Sequence, residues 1–268
     1  MERFVPEAAH FDLLHEPWIP CLRQDGTAIV LGLLDVLRQA HALREVRDGA
    51  PLVTFGLNRL LQSVVQAYAM PRTQKAWLEQ YRRGEFDASW IDRFAVDEQG
   101  HFDLFHDRHP FYQSSDLSKV RTAEDRKKSE PVTVATLRPE IPTATNVNHF
   151  RHAYDDAQAH CPSCVAKSLV ALPPFAQSSG RGYAPSINGT PPVYAWLNSD
   201  NLFTSLCWNL VVRTSMPDAL DRGDKPFWHG GGTVQPGTTP SSVGLLRALT
   251  WQPRRVRLIP SVGGRCTL

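Results

Sequence analysis

Three cysteines constrain the fold of this chain more than any other feature of its sequence. Cys161 and Cys164 are separated by two residues in the middle of the chain, and Cys266 is followed by only two residues. Paired cysteines at this spacing hold zinc tetrahedrally, because Zn–S bonds of about 2.3 Å suit two thiolates on one tight turn. We therefore expect a structural zinc site formed by these three cysteines. The sequence stops one residue before a second pair is complete, so we expect the site to be incomplete and to bind zinc weakly or not at all.

Two other interpretations of Cys161 and Cys164 stay open. Buried, unreactive cysteines are common, and a single C-x-x-C motif does not exclude them. A redox pair requires the motif at the start of a helix that follows a strand. The polar residues just ahead of Cys161 indicate a loop rather than a strand, which disfavours redox chemistry. His160 is a poor fourth zinc ligand, because its adjacency to Cys161 strains the geometry.

The composition excludes several classes of protein. The net charge is only +2 at pH 7, so a nucleic-acid site must be a local basic patch. The five cysteines are an odd number with no export signal, which argues against a secreted disulfide framework and favours the reducing cytoplasm. The longest apolar stretch, residues 28–37, contains a glycine and an aspartate and is too short to span a membrane. We expect a soluble cytoplasmic protein with no membrane contact.

The order of predicted elements indicates an α+β domain. Residues 11–22 and 28–31 flank a turn around Gly26, which predicts an opening β-hairpin. Helical and strand patterns then alternate unevenly rather than as βαβ units, so we expect an irregular mixed fold with long loops. Helices are predicted at residues 33–41, 51 to about 70, 73–83, 90–94, 164–175 (broken by two prolines), 201–214 and 245–251, and strands at residues 101–105 and 254–259.

A short polar stretch, Ser178-Ser179-Gly180-Arg181-Gly182, is a candidate DNA-binding segment. Glycine lets main chain approach a ligand closely, and the minor groove offers mainly base acceptors to backbone amides. Taken alone, the stretch is typical of a surface turn. It is not a dinucleotide fingerprint, because no strand precedes it and the G-x-G-x-x-G spacing is missing.

A basic segment lies within a long loop of about residues 114–143, which we expect to be mobile. Loops of this length in a compact domain are usually functional or disordered. Such a segment can track phosphates, with counterion release supplying most of the affinity, although charge runs are most often solvated surface. The candidate RNA-contacting and subunit-contacting residues are Lys119, Arg121, Arg126, Lys127 and Lys128.

The sequence contains no convincing catalytic site. The G-x-S-x-G, H-E-x-x-H and Walker motifs are all missing, and no spaced carboxylate pair is evident. His106 and His109 crowd together with Asp103 and Asp107 but fit a strand and turn surface. Ten histidines nevertheless leave open a small zinc-dependent enzyme that uses the cysteine pair and a histidine.

Several motifs in order resemble one known family. The stretch FDLLHEPWIP at residues 11–20 is similar to the N-terminal signature of the CasA family, the large subunit of the type I-E CRISPR Cascade complex. DLF at residues 103–105, HPFYQ at 109–113, INGTPP at 187–192 and LFTSL at 202–206 follow as in that family. The resemblance covers nearly all 268 residues but not the family's C-terminal four-helix bundle, which is absent from this sequence.

The resemblance implies specific roles. In the family, a glycine loop, a lysine finger and a glutamine wedge read the protospacer-adjacent motif in the minor groove, while guide RNA reads the target by base pairing. Ser178, Ser179 and Gly180 correspond to the glycine loop, and the finger and wedge fall beyond Leu268. Cys161, Cys164 and Cys266 correspond to three of the four zinc ligands. The loop at about 114–143 corresponds to the family's loop that reaches the 5′ end of the guide RNA and neighbouring subunits.

We therefore expect residues 1–268 to form a CasA-like N-terminal domain that is incomplete at its C-terminal end. Its expected partners are the CRISPR RNA 5′ handle, double-stranded target DNA, other Cascade subunits and a recruited helicase–nuclease. The chain itself would not be an enzyme: it would recognise the flanking motif, support R-loop formation and leave cleavage to the recruited nuclease in antiviral defence. The alternatives are a small zinc-dependent enzyme and a non-functional gene fragment.

Overall fold

A computed structural model describes residues 10–114, 117, 134–138, 160–176, 193–216, 223–229 and 243–260. The mixed α+β class and the opening β-hairpin are confirmed. Helices and strands are mixed in order along the chain. They are β1 (Ile19–Arg23), β2 (Ala28–Leu31), α1 (Leu33–Gln39), β3 (Leu43–Val46), α2 (Pro51–Tyr68), α3 (Gln74–Arg83), α4 (Ala88–Asp97), α5 (Pro162–Phe175), α6 (Leu202–Trp208) and α7 (Leu245–Leu249), with 3-10 turns at Val134–Leu137 and Arg213–Ser215.

The three strands form one antiparallel sheet in the order β2-β1-β3. Ile19 pairs with Leu31 across the hairpin, and Cys21 pairs with Val46 on the other side. Asp25 accepts a hydrogen bond from the amide of Thr27 at 2.8 Å, and Gly26 follows with a φ of 83°. A positive φ at this position explains why glycine suits the turn.

Residues 11–18 of the FDLLHEPWIP stretch form a compact turn rather than the extended segment that the sequence predicts, and its last two residues begin β1. The carboxylate of Asp12 accepts hydrogen bonds from the amide of Leu14 at 2.9 Å and from His15 Nδ1 at 2.7 Å. The indole of Trp18 donates to the carbonyl of Leu13 at 2.9 Å and is fully buried. These residues can therefore pack against the core, because hydrogen bonds within the turn pair their polar groups.

Helix α2 is the central element of the fold. Pro51 stands in its first turn, where the missing N–H costs no hydrogen bond, and its apolar face enters the core. The backbone of helix α5 lies directly against α2 at Ala171, because the facing residue of α2 is Gly56, which has no side chain. This packing fixes the position of α5, which carries the cysteine pair.

Other predicted elements also differ from the structure. Residues 101–105 were expected to be a strand, but only an isolated bridge joins Asp103 to Asp12. Residues 254–259 contain no strand. Helix α6 ends at Trp208 rather than at residue 214, since the chain then makes side-chain contacts with α2. Helix α5 begins at Pro162 and continues through both prolines to Phe175 instead of breaking at them. The two prolines lack an N–H and therefore donate no helical hydrogen bond to the carbonyls four residues earlier.

The strand β3 was not anticipated. Its only apolar residues are the first and last, Leu43 and Val46, and these are also its only buried residues. The strand therefore lacks the alternation of apolar and polar residues that predicts a strand. No helix in the described part of the chain is long and apolar enough to cross a membrane.

Candidate functional site

The cysteine pair lies at the start of α5. Cys161 is the N-cap residue, and its carbonyl accepts the amide of Val165 at 3.0 Å. Cys164 follows in the first turn, where its carbonyl accepts the hydroxyl of Ser168 at 3.0 Å. Both residues are partly exposed thiols rather than disulfides. Cys266 lies outside the described residues, so the three-cysteine zinc site stays a prediction.

This placement suits thiolate chemistry. A helix N-terminus favours the thiolate, which is the form that binds metal. The Cys161 thiol forms no capping hydrogen bond with the helix amides, which fits a zinc ligand. The helix start also meets one condition of a redox pair. The other condition is a strand ahead of the motif, and His160, the described neighbour on that side, is not in one.

The two remaining described cysteines are structural. Cys21 lies in β1 and Cys207 in α6, and the side chains of both are buried in the hydrophobic core. Burial raises the pKa of each thiol to about 12, so neither forms a thiolate near neutral pH. They contrast with the partly exposed pair and take no part in the candidate site.

A cleft of about 310 Å³ opens beside Cys164. Its walls carry two basic side chains, Arg138 and Lys167. The ammonium of Lys167 pairs with Oδ2 of Asp48 at 2.7 Å, while Oδ1 of Asp48 accepts the amide of Ala50 at 3.0 Å just before α2. The ion pair therefore joins the start of α2 to the second turn of α5, next to the cysteines.

The five candidate DNA-binding residues, Ser178, Ser179, Gly180, Arg181 and Gly182, lie outside the described residues. The structure describes the chain up to residue 176 and again from residue 193, and side chains from these two parts meet on α2. Phe175 ends α5, Tyr194 lies beyond the stretch, and both rings pack on Phe55. Ring centroids are 5.7 Å apart for Phe55 and Phe175, and 4.4 Å apart for Phe55 and Tyr194. The two ends of residues 177–192 are thus held at one point of the fold.

Arg59 secures this aromatic cluster from the side of α7. Its guanidinium donates to the carbonyls of Ala248 and Leu249 at 3.0 and 2.9 Å and lies 5.5 Å from the centre of the Tyr194 ring. Burial lowers the pKa of Arg59, and burial raises the pKa of Tyr194. A cation at the carbonyl end of a helix is electrostatically favourable, so Arg59 joins α7, α2 and the aromatic cluster.

The basic residues Lys119, Arg121, Arg126, Lys127 and Lys128 also lie outside the described residues. The chain that leads into them is anchored. The amide of Ser114 donates to the carbonyl of Val256 at 2.8 Å, and the side chain of Gln113 accepts the amide of Leu258 at 2.8 Å. Their role as an RNA contact stays a prediction.

Sequence reasoning missed a second group of ligand-type side chains. Glu98, His101 and His229 come together, with all three ligand atoms within 4.8 Å of one another. The spacing of Glu98 and His101, three residues apart, was visible in the sequence. His229 was not foreseeable as their neighbour, because 131 residues separate it from Glu98.

Comparison with known proteins gives consistent matches. A family model described as CRISPR-associated protein Cse1 matches residues 12–267. The CRISPR-associated protein CasA/Cse1 of Thermus thermophilus is 28% identical over 271 residues, which cover 95% of this chain and 50% of that protein. The chain therefore spans about half the length of the curated relative that it matches.

Solved structures share the fold. Cse1 of Thermobifida fusca is 24% identical with a TM-score of 0.77, over 96% of this chain and 51% of that one. CasA (Cse1) of Thermus thermophilus is 26% identical with a TM-score of 0.69, over 95% and 50%. A chain of a CRISPR RNA-guided surveillance complex is 22% identical with a TM-score of 0.70, over 95% and 54%. Because the family model matches almost the whole sequence, the chain belongs to the CRISPR-associated Cse1 family.

Proposed function

We propose that this chain is a subunit of Cascade, the CRISPR RNA-guided surveillance complex of antiviral defence. The observation that carries the proposal is the family match over residues 12–267. The shared fold with a chain of an RNA-guided surveillance complex supports it. Base pairing to the guide supplies sequence specificity in such complexes, so the protein has to read only a short flanking motif and the shape of the duplex.

The proposed DNA-reading segment is Ser178–Gly182. A protein group that reads the minor groove must keep its position while the DNA approaches, so it is best placed on rigid elements. The contacts of Phe175 and Tyr194 with Phe55 support this role, because they hold the described chain before residue 177 and after residue 192 together on α2. Small residues let the main chain lie close to the groove, where its amides meet base acceptors.

The proposed RNA and subunit contact is the basic segment that includes Lys127 and Lys128. Its side chains would neutralise phosphates of the CRISPR RNA 5′ handle, and the affinity would fall as salt rises because bound counterions are released. The fixed contacts of Gln113 and Ser114 with residues 256–258 support a defined starting point for that segment.

The proposed zinc site uses Cys161, Cys164 and Cys266 with a structural role. Zinc there would fix the start of α5 and thereby the cleft beside Lys167. The subunit would carry out no cleavage itself. It would act in the cytoplasm by supporting R-loop formation, after which the complex recruits a helicase–nuclease.

The test is target binding by the assembled complex. The chain is combined with guide RNA and the other Cascade subunits, and the affinity for duplex targets is measured across all flanking trinucleotides. Gly180→Trp should weaken binding to the preferred motif at least about tenfold, because each lost base contact costs about 1–3 kcal/mol. Glu79→Trp, which adds the same ring at an exposed position of α3, should leave affinity unchanged.

The outcomes separate the parts of the proposal. Unchanged discrimination in Gly180→Trp would remove the DNA-reading role of the segment. A chain that fails to join the guide RNA and the other subunits would contradict the subunit role itself. The double variant Lys127→Ala and Lys128→Ala should make guide RNA binding less dependent on salt. The slope of log affinity against log salt concentration should fall by the amount expected for about two phosphate contacts.

A further inference from the structure

The cluster of Glu98, His101 and His229 lies where α4 ends. Glu98 is the residue after α4, and its side chain is fully buried. Its Oε2 lies 3.2 Å from Nδ1 of His101, and its Oε1 lies next to Nε2 of His229. Metal bonds of about 2.0–2.2 Å to nitrogen and oxygen place neighbouring ligand atoms roughly 3–3.5 Å apart. The distance between Oε2 and His101 falls in this range, whereas Nε2 of His229 lies at hydrogen-bond distance from Oε1 and would have to move outward to share an ion.

We propose that Glu98, His101 and His229 bind one divalent transition-metal ion. Imidazole ligands suit zinc, cobalt and nickel, whereas magnesium and calcium prefer shells made only of oxygen atoms. The proposed site contains no thiolate, so it is chemically distinct from the cysteine pair at the start of α5. It is also independent of the DNA and RNA contacts proposed above.

The surroundings of the carboxylate support a ligand role. The hydroxyl of Tyr68 donates to Oε1 of Glu98 at 2.7 Å, and the indole of Trp228 donates to the same oxygen at 3.0 Å. Carboxylates that bind metal are typically oriented by such outer hydrogen bonds. The two donors fix Oε1, and Oε2 remains directed at His101.

The alternative is a hydrogen-bonded cluster without an ion. In that arrangement His101 and His229 each donate a ring proton to the carboxylate of Glu98. Binding an ion requires the same two ring nitrogens to present lone pairs to the metal instead, with the proton of each neutral ring on its other nitrogen. Both arrangements use the same side chains, and measured metal binding distinguishes them.

The ion would join distant parts of the chain. His229 belongs to residues 223–229, and Trp228 beside it packs on Phe102 with ring centroids 5.2 Å apart. A bond from the metal to His229 would attach this segment to the end of α4. Since a preformed site rarely exists in an unfolded chain, metal binding would stabilise the folded protein.

The test uses the whole chain with Cys161→Ser, Cys164→Ser and Cys266→Ser, so that thiolates contribute no ligand. After chelator treatment, Co²⁺ is titrated while absorption and bound metal are measured. We expect one Co²⁺ per chain, visible ligand-field bands without thiolate charge-transfer absorption, and a rise in the thermal midpoint. Failure of this protein to bind Co²⁺ would leave only the hydrogen-bonded cluster and overturn the proposal.

Ligand variants locate the ion. His101→Gln and His229→Gln should each weaken Co²⁺ binding more than about a hundredfold, and Tyr68→Phe about tenfold, because outer hydrogen bonds contribute less than ligands. His41→Gln is the matched control, since His41 faces Glu85 at 3.9 Å at a more exposed position. Equal affinity in His101→Gln and His41→Gln would also overturn the proposal. Since the side chains of His101 and His229 are both partly exposed, both variants are expected to fold normally.

Discussion

Gly56 in α2 faces the backbone of Ala171 in α5 so closely that no side chain fits between them. A Cβ at position 56 would lie 2.7 Å from Cα of Ala171 and 2.7 Å from the carbonyl oxygen of Val170. Because both neighbours are backbone atoms, only a shift of a whole helix would relieve the contact. The positions of the cysteine pair and of Phe175 therefore depend on the absence of a side chain at position 56.

Gly56→Ala should destabilise the fold despite the better helix propensity of alanine. Overpacking costs about 1–3 kcal/mol, whereas the propensity gain is about 1 kcal/mol. Urea unfolding measures the net loss in the free energy of unfolding. Gly49→Ala is the control, because a Cβ there would meet nothing within 4 Å. A Gly56→Ala protein as stable as Gly49→Ala would show that the two helices separate without cost.

Asp103→Asn should loosen the start of the chain. The carboxylate accepts hydrogen bonds from the amides of Phe11 and Phe105 at 3.1 and 3.0 Å, and from His10 at 2.8 Å. Both amides bond Oδ1, which asparagine keeps, but these bonds lose the charge of the carboxylate, and the oxygen that faces His10 is replaced by an amide group. We therefore expect a loss of about 1–3 kcal/mol. Thermal unfolding measures the loss.

Asp92→Asn is the matched control for that prediction. Asp92 pairs with Arg38 at 3.0 Å at an exposed position. Exposed ion pairs contribute about 0–1 kcal/mol, so this variant should unfold close to the parent chain. If Asp103→Asn lowered the stability as little as Asp92→Asn, the turn of residues 11–18 would be held by its apolar side chains alone.

The sequence predicted the elements whose signals are local. Pro51 and the apolar stripe behind it predicted α2, and the turn at Gly26 predicted the hairpin. The C-x-x-C motif was recognisable at once because its chemistry depends on spacing within one turn. The position of Cys161 as the N-cap residue of α5 became clear only from the structure.

Features that join distant segments were not predictable. Leu43 and Val46 pair with β1, but the pattern of their strand carries no alternation. Glu98 meets His229 across 131 residues, and a single sequence contains no signal for such a contact. The sequence predicts a strand that begins at His101, because periodicity alone cannot show that a buried carboxylate lies beside this residue.

Thiol labelling should separate the cysteines into two classes. In the folded, metal-free chain at pH 8, Cys161 and Cys164 should react with iodoacetamide, whereas Cys21 and Cys207 should not. With a pKa of about 12, a buried thiol is roughly one part in ten thousand thiolate at that pH. The raised pKa keeps both buried thiols neutral until the solution approaches pH 12. Mass spectrometry of the labelled peptides counts each site.

Two further measurements complete the labelling experiment. In urea all five thiols of the chain should react at similar rates, which would show that burial and not sequence context protects Cys21 and Cys207. Zinc should slow labelling of Cys161 and Cys164 if the pair binds metal. Rapid labelling of Cys21 in the folded chain would mean that β1 opens readily.

Gln66→Leu should destabilise the contact between α2 and the chain after α6. The fully buried amide of Gln66 donates to the carbonyl of Val211 and accepts its N–H, both at 2.9 Å. Leucine has a similar volume but leaves both backbone groups without this partner, which costs about 1–3 kcal/mol. Gln24→Leu is the control, since it removes one exposed hydrogen bond to the carbonyl of Asp200 and should change stability by less than about 0.5 kcal/mol. Equal unfolding midpoints for the two variants would mean that water replaces the Gln66 amide at Val211 without cost.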